Sequence, residues 1–351
     1  MSWIKKPSAR HPSLEANTLG LTVRDYEGSM STLCAGCGHD SITAAIVRAF
    51  HELDTPPHMI AKLSGIGCSS KTPTYFVSGA HGFNSAHGRM PAIASGAAAA
   101  NRDLVYLGVS GDGDSLSIGL GQMCHAIRRN VNMLYIIENN GCYGLTKGQF
   151  SASSDVGSKS KRGDANTQPP IDPAILALSL GCSFVARSFS GDKAQLVPIL
   201  KAGIRHKGFA MVDVISPCVT FNDHDGSTKS YLHTRKHSLP VVAADFVPVK
   251  SEITATLPEG EVTRVTLHDG SVVALRKVAK DYDFGDRAKA WSFLHEAQRN
   301  GEIPVGLLYL DERGVEMHES NRTVKRPLAE VPFEDLCPGK ATLEKLQEGY
   351  R

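Results

Sequence analysis

The sequence predicts an α/β protein: a parallel sheet with helices on both faces, followed by a small C-terminal α+β extension. Three observations predict it. Apolar runs of strand length recur at residues 58–63, 104–109, 131–137, 183–189 and 209–215. Such continuous runs suit strands buried on both faces. Segments with apolar residues at helical spacing separate them, at 40–53, 90–101, 116–129, 172–180 and 193–206. The residues with chemical character also fall just after the strand runs, where open α/β sheets place their ligands.

Residues 1–29 are polar and Pro-containing and read as an arm that wraps the rest. The 40–53 segment carries Ser and Asp capping chemistry at its start. The 90–101 segment, MPAIASGAAAAN, reads as a close-packed helix of small residues. A long polar stretch at 151–170 is either a mobile cover or a solvated loop. Beyond residue 239 the texture changes. Residues 262–268 and 271–278 flank Asp269-Gly270, a strong hairpin turn. A helix at 286–299 and a strand at 305–310 follow. The expected organisation is an arm (1–29), a main domain (30–244) and an extension (245–351).

At 351 residues the chain has ample length to bury a core, and its 41% hydrophobic and 21% charged residues are ordinary for a globular protein. Lys+Arg 38 against Asp+Glu 36 leaves no global basic face for nucleic acid or acidic lipid. The longest nearly apolar stretch, 91–100, is mostly Ala and far short of the roughly 20 residues of a membrane span. The start, MSWIKKPSARHPS, has no apolar signal region. These features point to the cytoplasm, where disulfides are rare and cysteine groups more often mean metal or redox chemistry. There are eight cysteines: Cys34, Cys37, Cys68, Cys124, Cys142, Cys182, Cys218 and Cys337.

Four motifs follow four strands. Ser64-Gly65-Ile66-Gly67-Cys68 follows the first, Gly111-Asp112-Gly113-Asp114 the second, Glu138-Asn139-Asn140-Gly141 the third and Pro217-Cys218 the last. Twenty-five residues lie between Gly113 and Asn139, room for one helix and one strand. That spacing brings Asp112 and Asn140 to adjacent strand ends. An anionic oxygen, an amide oxygen and a backbone carbonyl at Cys142 suit Mg²⁺, which completes its shell with phosphate and water. The glycines let backbone N–H groups approach a diphosphate, and the following helix adds its N-terminal dipole. Either piece alone is also an ordinary Gly/Asn turn.

Cys34, Cys37, Cys68 and Cys218 can supply four thiolates to zinc or to an iron–sulfur cluster. Zinc sites commonly show two C-x-x-C pairs. Here only Cys34 and Cys37 pair, which favours a cluster. Lys71, three residues after Cys68, is either a solvated lysine or a point charge for a carboxylate. His39 and His87 are either structural or general acid–base groups.

The stretch SGDGDSLSIGLGQMCHAIRRNVNMLYIIENNGCYGLTKGQ resembles the diphosphate-binding module of thiamin enzymes. With CAGCGHD, SGIGCSSKTPTYF and AHGRMPAIASGAAAAN, the wider context resembles the β subunit of 2-oxoacid:ferredoxin oxidoreductases, over residues 30–235. The resemblance implies the thiamin diphosphate-binding fold. It implies Asp112, Asn140 and the Cys142 backbone as Mg²⁺ ligands, and Cys34, Cys37, Cys68 and Cys218 as ligands of one 4Fe–4S cluster. It implies Ile66, Gly67, Cys68, Ser69, Gly113, Asp114, Gly144 and Leu145 at the cofactor, and Lys71 at the 2-oxoacid, with His39 and His87 as further catalytic candidates.

The activity so implied is oxidative decarboxylation of a 2-oxoacid with coenzyme A as acyl acceptor and ferredoxin as electron acceptor. The tail GDRAKAWSFLHEAQRNGEIPVGLLYL is similar to tails of members acting on 2-oxoglutarate; a pyruvate-using or broad-specificity member is the alternative. The chain has room for one thiamin-binding domain, so an α subunit is expected to complete the thiamin and coenzyme A sites, in an αβ heterodimer or a dimer of heterodimers. More remote readings are a thiamin-dependent decarboxylase or ligase half and a non-enzymatic Cys₄ zinc module.

Overall fold

The computed structural model describes residues 11–158, 164–221, 253–266, 272–337 and 339–350. Its first helix, α1 (Gly38–Glu52), leads into β1 (Ile60–Ser64) and a short edge strand β2 (His81–Asn84). Then come α2 (Met90–Ala100), β3 (Val105–Gly111), α3 (Leu120–Arg128) and β4 (Met133–Asn139). A two-residue ribbon follows, β5 (Cys142–Tyr143) against β6 (Gln149–Phe150). The chain continues through α4 (Pro173–Ser179), β7 (Phe184–Phe189), α5 (Lys193–Arg205) and β8 (Phe209–Ile215). Beyond residue 252 it forms β9 (Val262–Thr266), β10 (Val272–Lys277), α6 (Arg287–Arg299) and β11 (Glu302–Leu310).

All of these strands except the small ribbon join one nine-stranded sheet, in the order β2-β1-β3-β4-β8-β7-β11-β10-β9. From β2 to β7 every pairing is parallel. Strands β4, β7 and β8 are buried along their whole length, as their mostly apolar sequences suit, with Arg187 and Asp213 buried among them as an ion pair. Alternate residues feed opposite faces: Leu134 and Ile136 pack with α1 and α5, while Tyr135 and Ile137 pack with α2, α3 and α4. The small residues of α2 permit close approach. A Cβ on Gly108 of β3 would lie 2.6 Å from the Met90 sulfur.

The predicted α/β architecture is present, and the differences have local causes. Helix α1 begins two residues before its predicted start, and its N-cap is Cys37, with no side-chain cap bond. The predicted 116–129 helix is split: Asp114–Ile118 is a π-helical turn and α3 starts only at Leu120. Strand β2 was not predicted, because its four residues are all exposed and carry no apolar alternation. The hairpin β9–β10 forms with antiparallel register, although its Asp269-Gly270 turn lies outside the described residues. The 262–310 strands extend the main sheet. Strand β11 runs antiparallel to β7, with a bulge between Leu307 and Tyr309. Within the described part of the 151–170 stretch Ser151, Ser153, Ser154 and Ser158 are buried, whereas Val156, Gly157, Thr167, Gln168 and Pro169 are exposed.

Candidate active site

Strands β1, β3, β4 and β8 are consecutive in the sheet and parallel. Their carboxyl ends therefore present Gly65–Cys68, Gly111–Asp114, Asn139–Asn140 and Ser216–Cys218 along one edge. One cleft there is lined by His39, Ile66, Gly67, Cys68, Ser69, Gly111, Asp112, Gly113, Asp114, Glu138, Asn140, Cys142, Tyr143 and Gly144.

The glycines in this cleft are required by geometry. Gly67 has φ +101°, a backbone region that favours glycine. The Tyr143 ring lies on Gly113, where a Cβ would come within 2.6 Å of it, and the Tyr143 hydroxyl donates to the Gly113 carbonyl at 2.7 Å. Asp114 turns its carboxylate inward, accepting from Gly88 N at 2.7 Å and Ser110 Oγ at 2.9 Å. Its side chain ties the Gly88 loop to the end of β3, which leaves the backbone of the Gly113-Asp114 turn as its offering to a ligand.

Asp112 and Asn140 do meet. Asn140 N donates to Asp112 Oδ1 at 3.3 Å, and Cys142 N donates to Asn140 Oδ1 at 3.1 Å. Asp112 Oδ2 also accepts from Ser151 and, at 2.6 Å, from Ser153. Neither serine carries a signal in the sequence, because a Ser-rich loop reads as solvated until its folding-back is seen.

The cysteines gather beside this cleft. A Cβ on Gly144 would lie 3.4 Å from the Cys68 sulfur and 3.7 Å from that of Cys218. Thr220 Oγ1 donates to Cys34 Sγ at 3.7 Å, and Phe221 N to Cys218 Sγ at 3.3 Å. Burial pushes the Cys37 thiol well above its usual pKa, and a charge on Cys218 would push it further. Burial lifts Cys68 to about 11; Cys218 and Cys34 add to this, while Lys71 opposes it. The buried Cys142 thiol faces Cys218 too, and that hydrogen bond, followed by burial, raises its pKa. Among the described residues, no three His, Cys, Asp or Glu side chains converge closely enough to hold a metal ion as they stand.

His39 is buried at the start of α1, with Nδ1 2.6 Å from Ser216 Oγ and Nε2 3.7 Å from Glu138 Oε2. Burial lowers its pKa to about 4, so the ring is neutral at pH 7. Glu138 is fully buried, and neither carboxylate oxygen has a hydrogen-bond partner of good geometry among the described residues. Burial, with Asp40 adding to it, raises its pKa well above the usual range. A charged residue closing an apolar strand was the available signal for Glu138, and the sequence reading gave it no role. Lys71 is half-buried in the 3-10 turn Cys68–Thr74 and lies outside the cleft lining. His87 and Leu145 are exposed and also lie outside it.

Residues 65–214 match the family described as thiamine pyrophosphate enzyme, C-terminal TPP binding domain. The chain is 35% identical over 313 residues to a 2-oxoacid:ferredoxin oxidoreductase subunit beta of Sulfolobus sp, covering 89% of this chain and 90% of that relative. It is 37% identical over 253 residues to the 2-oxoglutarate oxidoreductase subunit KorB of Mycobacterium tuberculosis, covering 68% and 67%. Among solved structures, a 2-oxoglutarate:ferredoxin oxidoreductase from Magnetococcus marinus, with 2-oxoglutarate, coenzyme A and succinyl-CoA bound, matches with a TM-score of 0.71 at 28% identity. That match covers 92% of this chain and 98% of the other. Motifs, fold and relatives agree: the chain belongs to the family of 2-oxoacid:ferredoxin oxidoreductase β subunits.

Proposed function

We propose that this β subunit works with an α subunit to convert 2-oxoglutarate and coenzyme A to succinyl-CoA and CO₂, passing electrons through one 4Fe–4S cluster to ferredoxin. The observation that carries the reading is the convergence of oxygen ligands, glycine-rich turns and cysteine sulfurs at the ends of four adjacent strands. A pyruvate-using or broad-specificity member is the competing substrate reading. The compartment proposed is the cytoplasm; no helix of the described residues is long and apolar enough to cross a membrane.

The residues fit the implied groups. Asp112, Asn140 and the Cys142 carbonyl form an all-oxygen set of the kind Mg²⁺ takes. The turns at Gly67 and Gly113 admit a diphosphate to the backbone because they lack side chains. Cys34, Cys37, Cys68 and Cys218 are the ligands proposed for the cluster, and thiolate sulfur is the donor chemistry it takes. When bound, thiamin diphosphate supplies the electron sink for decarboxylation and the cluster supplies one-electron transfer.

The chain's own contributions are placement and field. Lys71 offers a cation beside Cys68 that orients the carboxylate to be lost. His39, neutral and fixed by Ser216, presents an uncharged ring to the cleft. His87 lies on the exposed loop before α2 and is the further acid–base candidate. The test is a panel of 2-oxoacids on the complex co-purified with its α subunit, following ferredoxin or viologen reduction. The expected result is highest kcat/KM with 2-oxoglutarate and strict dependence on coenzyme A. Preference for pyruvate, or turnover without coenzyme A, would overturn the substrate assignment.

A further inference from the structure

Asp112 is 1% exposed, and an ionised carboxylate has about four acceptor positions. Three are taken among the described residues: Asn140 N on Oδ1, and the Ser151 and Ser153 hydroxyls on Oδ2. One remains, on Oδ1. The Ser153 hydroxyl has a single proton and three oxygens within reach, Asp112 Oδ2 at 2.6 Å, Asn139 Oδ1 at 3.1 Å and Ser151 Oγ at 3.1 Å. The charged, nearer oxygen is the stronger acceptor.

Asn139 is itself held from behind. Its Nδ2 donates to Asp213 Oδ1 at 3.0 Å, which fixes the amide with its oxygen toward Ser153. Arg187 Nε donates to Asp213 Oδ2 at 2.7 Å, and Arg187 Nη2 to Asp172 Oδ1 at 2.6 Å. Asp172 is in turn the N-cap of α4, accepting from Ala174 N and Ile175 N. Asn139, Ser153, Asp213 and Arg187 are at most 4% exposed. These bonds run from Asn139 across β4, β8 and β7 to a helix start, and Ser153 Oγ lies 3.1 Å from the Asn139 oxygen at their near end. Beside them, Asn139, Ser153 and Arg187 line a cavity of about 320 Å³ whose far wall is Leu294, Ile303 and Pro304 of the C-terminal region.

We propose that Ser153, whose hydroxyl donates to Asp112 Oδ2, is a positioning residue that fixes Asp112 to meet a divalent cation through one oxygen. Groups that orient a metal ligand commonly set affinity by 10–100-fold. The inference rests on the metal site proposed above, and the experiment separates the two.

The test is a Mn²⁺ titration of the full αβ complex with saturating thiamin diphosphate, reading free Mn²⁺ by electron paramagnetic resonance, alongside a melting curve. Ser153→Ala is expected to weaken Mn²⁺ binding roughly tenfold to a hundredfold. A purely structural role would lower the melting temperature and leave the Mn²⁺ affinity where it was. Unchanged affinity in Ser153→Ala therefore overturns the positioning role. A wild-type complex that binds no Mn²⁺ with thiamin diphosphate overturns the metal site itself.

Discussion

Lys71 and Lys62 show how differently two lysines of one strand-and-turn unit are used. Lys71 has the freer side chain and the proposed substrate role. A hydrogen bond to a charged group contributes about 1.5–3 kcal/mol, so Lys71→Ala should lower kcat/KM roughly tenfold to a few hundredfold. Cluster and cofactor content should stay intact, and steady-state kinetics with metal and thiamin analysis checks both. Lys62 is buried on β1 and donates to the carbonyls of Phe76 at 2.6 Å and Val77 at 2.9 Å, with Phe76's ring beneath it. Burial lowers its pKa to about 8. The unfolded lysine keeps its proton to about pH 10.4. Between these values the unfolded state binds more protons, so this group's contribution to stability rises with pH. The stability difference between wild type and Lys62→Met should therefore move in favour of wild type from about pH 8 to about pH 10, as denaturant melts at both values would show. At this scale the sequence was legible in placement, with Asp112 beside Asn140 and Cys68 near Cys218. It was not legible for Ser151, Ser153 and Ser216, whose importance comes only from what they touch.

The elements that place the site were legible because burial on both faces favours mostly apolar strands. Strand β8 falls exactly where its apolar run lies, and β3 and β4 fall within two residues of theirs. What the periodicity missed is short and held by tertiary contacts: edge strand β2, the β5–β6 ribbon, and the π-turn between Gly113 and α3. The ribbon matters because it carries Tyr143 onto Gly113 and Gly144 onto the cysteines. Gly113→Ala would push its Cβ into the Tyr143 ring. The ring must shift and lose its bond to the Gly113 carbonyl, displacing Cys142 and Gly144 with it. Overpacking of this kind costs about 1–3 kcal/mol, so the variant should fold with a lowered melting temperature. It should also lose thiamin diphosphate on gel filtration, which vitamin analysis of the eluted complex would reveal. Full retention of the cofactor would show that this turn does not approach the diphosphate.

For the whole molecule, the parallel order β1-β3-β4-β8 turns four motifs scattered over more than 150 residues into one edge. Strand–helix alternation predicted that convergence, because successive parallel strands point their carboxyl ends the same way. The attachment of β11, β10 and β9 to the same sheet was not legible. An antiparallel edge has no signature in the strand it joins, and β7 reads the same with or without a neighbour. The central claim is that this chain brings thiamin chemistry and a cysteine-held cluster into electron-transfer contact. Electron paramagnetic resonance of the anaerobically purified αβ complex, recorded before and after adding 2-oxoglutarate and coenzyme A, tests it most directly. The account predicts a reduced 4Fe–4S signal that appears only with substrate, is absent in Cys218→Ala, and persists in Cys337→Ala. A complex that contains one zinc and no iron per β chain, or a cluster that substrate never reduces, would contradict it.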